Sequence, residues 1–157
     1  MTPSIRKPAR LVATMLLALA AGGAQAGCAR TLDDLRRLLG DPRFPLTWEE
    51  TTMRDGRPLV VTLDEQPGGL WISFVKTGEG PWAEGLASLC GNADALEANL
   101  GPSLRVGPAA GWLLRQALQA APVVRLRRTA DGKLQIATAG WSGSFVPGAG
   151  RLGLKAP

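Results

Sequence analysis

Histidine and tyrosine are absent from the 157-residue chain, and cysteine occurs only at positions 28 and 90. Without imidazole there is no Ser-His-Asp or Cys-His nucleophile arrangement, no His ligand for a metal, and no use of the commonest general base. Cys28 and Cys90 are too far apart in sequence to form a zinc cluster. Long apolar runs are also missing. The most apolar segment, Leu11 to Ala21, is about half the ~20 residues a membrane-spanning helix needs. Gly78-Glu79-Gly80 lacks both the glycine spacing and the Lys-Ser/Thr ending of a phosphate-binding loop. Gly140-Trp141-Ser142-Gly143 is one residue short of a nucleophile elbow, and no histidine exists to activate Ser142.

What is present starts with an address. Arg6, Lys7 and Arg10 precede the Leu11–Ala21 run, and Ala24-Gln25-Ala26 places small residues where a signal peptidase cuts. Residues 1–26 are therefore expected to be a secretory signal, with a mature chain from Gly27, periplasmic or secreted. Cys28 directly after Ala26-Gly27 also resembles the end of a lipoprotein signal, although Gln25 stands where such signals carry an apolar residue. The alternative is a Cys28–Cys90 disulfide, the simplest use of two cysteines in an oxidising compartment. Taking Arg6, Lys7 and Arg10 from the 18 basic residues leaves 15 against 13 acidic ones, a balance of +2. So small a charge gives no reason to invoke nucleic acid.

The mature length suits a single domain, residues 27–147, followed by a loose tail at 148–157. A short helix is expected after Thr31, with Asp33 and Asp34 in its first turn and Gly40 and Pro42 at its end. Strands are expected over Pro45–Thr52, Pro58–Asp64 and Leu70–Lys76, joined by turns at Asp55-Gly56 and Pro67-Gly68-Gly69. Leu70, Ile72 and Phe74 share a face of the most apolar strand, and Trp71 and Trp112 are assigned to the core. The segment Trp82–Cys90 resumes the alternation, and its small residues Ala83, Gly85 and Ala87 call for a close neighbour, read as a helix. Ala95–Leu100 reads as a further strand, with a helical turn as the alternative. Ala110, Leu113, Leu114, Ala117, Leu118 and Ala121 have helical spacing between Pro108 and Pro122. Val123–Thr129 and Leu134–Thr138 form a hairpin, and Gly140–Pro147 extends its second strand. The fold class expected is α+β: a twisted antiparallel sheet of about six or seven strands packed on one main helix, with a short N-terminal helix.

The candidate site residues are the groups left over. Glu79 and Glu84 are a carboxylate pair in the central loop, and such pairs cleave glycosidic bonds when one is desolvated and their separation is right. Trp48, Trp82 and Trp141 sit beside charged or glycine-rich segments, where an indole serves as an anchor for a partner or a sugar ring. Arg125 and Arg127 share a strand face and belong, with Arg128 and Lys133, to the one basic cluster, which reads as the solvated side of a hairpin or else as a site for an acidic partner such as phosphorylated lipid headgroups or an acidic protein surface. Solvated surface and core packing are the plain alternatives for all of these. The runs Gly78–Gly85, Gly107–Trp112 and Ala139–Gly143 resemble a group of small exported proteobacterial proteins without an assigned activity. That resemblance implies the compartment and a single domain, and no catalytic residues. The function expected is a non-enzymatic periplasmic binding or interaction module, without cofactor or metal, whose partner is an envelope protein or other envelope component. The alternatives are a small cell-wall glycan hydrolase and an envelope lipid carrier.

Overall fold

The computed structural model describes residues 26–51 and 57–148, with the backbone alone of Leu113. The expected signal segment up to Gln25, the Asp55-Gly56 turn and the tail beyond Gly148 lie outside the described residues. Helix α1 (Leu32–Leu39) forms as the sequence dictates. Thr31 accepts a hydrogen bond from the Asp34 amide at 3.1 Å, and Gly40 closes the helix in the left-handed conformation at φ 62°. The second helix, α2, spans Trp112–Ala120.

Among the described residues eleven strands make one antiparallel sheet. They are β1 (Gly27–Ala29), β2 (Thr47–Glu50), β3 (Leu59–Gln66), β4 (Gly69–Lys76), β5 (Gly80–Ala87), β6 (Leu89–Gly91), β7 (Ala95–Asn99), β8 (Arg105–Val106), β9 (Val123–Arg128), β10 (Leu134–Thr138) and β11 (Trp141–Pro147). Their order across the sheet is β1-β6-β7-β9-β10-β11-β2-β3-β4-β5-β8. β5 and β6 lie near opposite ends of that order, yet Ser88 alone separates them along the chain. A flat sheet cannot satisfy both conditions, so this one curls into a half-barrel whose ends are tied by the chain itself. From β2 the ladder runs up and down through β3, β4, β5–β6, β7, β9, β10 and β11, which returns to β2.

This corrects the α+β expectation of six or seven strands on one main helix. β1, β6 and β8 hold two or three residues each, too few for periodicity to register. Gly140–Pro147 does not extend β10. Ala139-Gly140 turns the chain, with Gly140 at φ 83°, and β11 folds back so that Thr138 pairs with Trp141 and Leu134 with Phe145. Among the described residues no single helix carries the sheet; two short ones close opposite ends of it.

The core lies inside the curl. Rows of paired residues face inward across neighbouring strands, such as Trp48 with Val61 and Val61 with Phe74, or Leu96 with Leu126 and Leu126 with Ile136. At one end α1 supplies Leu35 and Leu39, both buried, each contributing about 1.5–3 kcal/mol. Its first turn is pinned to β3 where the Leu32 amide donates to the Glu65 carboxylate at 2.9 Å. At the other end α2 inserts Leu114 and Leu118. Cys28 and Cys90 face each other directly between β1 and β6 and are disulfide-bonded. No described helix is long and apolar enough to cross a membrane.

Candidate functional site

The α2 end of the half-barrel is where the chain concentrates unusual geometry. β5 changes register there: Phe74 pairs with Ala83 and Val75 with Pro81, so Trp82 is left without an opposite residue. Such a bulge re-aims its side chain. Trp141, the first residue of β11, comes from a strand far from β5 in the ladder. The two indoles nevertheless meet edge to face, with ring centroids 5.1 Å apart and planes at 80°, and Phe145 stands behind Trp141 at 6.2 Å. Contacts of this kind contribute about 0.5–1.5 kcal/mol beyond burial. Both indoles are half-buried. Gly143 makes room for the rings of Phe145 and Trp141, from which a Cβ there would lie 2.9 and 3.1 Å away.

α2 covers this cluster. Between Leu114 and Leu118 of the helix and Phe74, Trp82, Thr138 and Trp141 of the strands lies an apolar cavity of ≈10 Å³, room for about one water molecule. Thr138 Oγ1 is buried at this cavity without a hydrogen-bond partner. The lead into α2 is fastened to the same place. The Gly107 amide donates to the Trp82 carbonyl at 2.9 Å, and Arg115 Nη2 donates to the Gly107 carbonyl at 3.4 Å. Only glycine fits at 107, because a Cβ would stand 2.0 Å from the Pro81 carbonyl oxygen.

The expected carboxylate pair is not gathered into this site. Glu79 lies in the β4–β5 turn, where Arg57 meets its carboxylate at 3.3 Å near the surface. Glu84 is in the middle of β5, opposite Ser73 and Arg105 in register, on the outer side because its neighbours Ala83 and Gly85 face inward. Neither lines the cavity under α2 or the one of ≈10 Å³ under α1. Both interior cavities are also far smaller than an acyl chain requires.

The arginines are elsewhere again. Arg125 and Arg127 point outward from β9 and line an open hollow on the outer face with Glu97, Gln135 and Cys90. Most of the basic cluster is already engaged. Arg125 pairs with Glu97 at 3.2 Å, Arg128 with Asp41 at 3.2 Å beside the Phe44 ring, and Lys133 with Asp131 at 3.1 Å. Asp131 is held below its ordinary carboxylate value by a hydrogen bond from Thr129 and by Lys133.

Two of the tryptophan expectations are corrected. Trp71 faces outward from β4, with Arg105 stacked 5.8 Å from its ring, and Trp112 is 68 % exposed. The third candidate anchor, Trp48, is instead deeply buried, its Nε1 donating to the Pro45 carbonyl at 2.8 Å. Helical spacing contained the signal for Trp112, which sits about 200° around the helix from Leu114. Nothing in the sequence marks Thr138. The chain matches no family model, no curated protein and no solved structure.

Proposed function

We propose that the protein is an exported, non-catalytic binding module whose recognition groups are Trp82 and Trp141 at the α2 end of the half-barrel. The observation that carries this is their meeting, from two distant strands, in a half-buried edge-to-face pair over a cavity with one unpartnered hydroxyl. Half-exposed indoles combine a large apolar surface with a polar N–H, and groups of that kind dominate recognition surfaces. The absence of histidine in the sequence supports a binding role over catalysis. The signal-like N-terminus and the Cys28–Cys90 bond support an oxidising compartment such as the periplasm. A lipid anchor would require the same Cys28 sulfur that the disulfide uses. The Gly78–Gly85 and Ala139–Gly143 runs, which carry the likeness to small exported proteobacterial proteins, are also the runs that contain the two indoles.

The partner on this proposal is an envelope protein or other envelope component. The test is affinity capture from envelope extract with the 27–157 chain alongside Trp82→Ala and Trp141→Ala. A component held by the parent and lost from both variants, with thermal melting showing all three folded, supports the proposal. Capture indifferent to both substitutions overturns it, as does turnover of a defined compound abolished by Glu84→Gln.

A further inference from the structure

α2 presents a second surface, separate from the indole pair. Trp112 is the one exposed large hydrophobic residue among those described, and it points away from Leu114 and Leu118. The other exposed residues of the helix, Gln116, Gln119 and Ala120, are uncharged. From residue 98 to residue 130 the chain contains no aspartate or glutamate, while it carries Arg105, Arg115, Arg125, Arg127 and Arg128. Arg115 follows Trp112 by one turn on the same side of the helix. Neither Arg115 nor Arg105 makes an ion pair among the described residues.

A helix that docks into a protein groove needs apolar anchors at i, i+3 or i+4, and i+7. The outward face of α2 has a single large one. A bilayer interface makes no such demand, because it accepts a lone indole at headgroup level and guanidinium groups beside phosphates. A helix that carries no carboxylate of its own also adds no repulsion from anionic lipid. We infer that α2 docks the protein reversibly on an anionic lipid surface, Trp112 entering the headgroup layer and Arg115 pairing with lipid phosphate. One aromatic anchor and few cations make this a weak, salt-sensitive association.

The experiment is co-sedimentation of the 27–157 chain with vesicles of phosphatidylglycerol and phosphatidylcholine, and with vesicles of phosphatidylcholine alone. Binding is expected to the mixed vesicles at low salt and to fall with added salt. Trp112→Ala is expected to weaken it about tenfold. Arg115→Gln, and each added charge in Gln116→Glu with Gln119→Glu, is expected to weaken it about fivefold. Trp112, Gln116 and Gln119 are exposed, whereas Arg115 is half-buried with Nη2 on the Gly107 carbonyl, so circular dichroism is used to confirm that each variant folds. No binding to either vesicle, equal binding to both, or binding that survives Trp112→Ala and the double glutamate variant overturns the inference.

Discussion

Thr138 shows how much a single side chain depends on its neighbours. On the alternation of β10 it is an ordinary strand threonine, yet its hydroxyl ends in an apolar cavity without a partner. An unsatisfied buried hydroxyl costs about 1–3 kcal/mol, so Thr138→Val is expected to leave urea stability unchanged or raise it by about 1 kcal/mol. A loss larger than that would mean that the hydroxyl is paired in solution, by water or by a bound group. The tryptophans teach the same lesson. Trp71, Trp112 and Trp48 all sit in regular elements, and residue type alone ranks them equally for burial. Their local phase decides. Trp71 alternates against Leu70 and Ile72, Trp112 lies off the Leu114–Leu118 stripe, and Trp48 shares the inward row with Val61.

At the scale of elements, helix α1 was wholly legible, because its cap, first-turn acids and terminal glycine act through contacts within a few residues. The small residues of β5 were legible as a demand for a close neighbour, and its identity was not. Leu100 and the 3-10 turn Gly101–Ser103 fill that place, with Leu100 3.2 Å from where a Gly85 Cβ would stand. Ser103 Oγ accepts from the Leu86 amide at 2.8 Å, and its one proton faces the Leu86 and Leu100 carbonyls at 2.8 and 2.7 Å. The hydroxyl thereby satisfies a stretch of β5 backbone that β8 is too short to reach. Ser103→Ala strands these groups and is expected to cost about 1–3 kcal/mol in chemical denaturation, with faster hydrogen exchange at the Leu86 amide.

Across the whole molecule, the curl makes one site from distant segments. Trp82 and Trp141 are neighbours because β5–β6 joins the two ends of the ladder and β11 returns to β2. The disulfide holds the short β1 edge, and the start of α1 with it, against β6. Opening it by Cys28→Ser with Cys90→Ser frees a closure across 62 residues, which the chain-entropy model values at about 4 kcal/mol. A fall in stability of up to that size is expected in denaturant titrations. Unchanged stability in the double variant would show that β1 and α1 hold without the bond.

The amino-acid sequence by itself determined the pieces whose causes are local or compositional. These are the caps of α1, the alternation of β3, β4, β9 and β10, the leucine stripe of α2, and the want of histidine and tyrosine. The tertiary structure alone decided the number of strands, the closure of their order and the pairing of the two indoles. Those outcomes rest on backbone hydrogen bonds between segments far apart in the chain, such as β11 with β2. Any extended segment offers the same amides and carbonyls, so side-chain patterns do not say which strand will accept them.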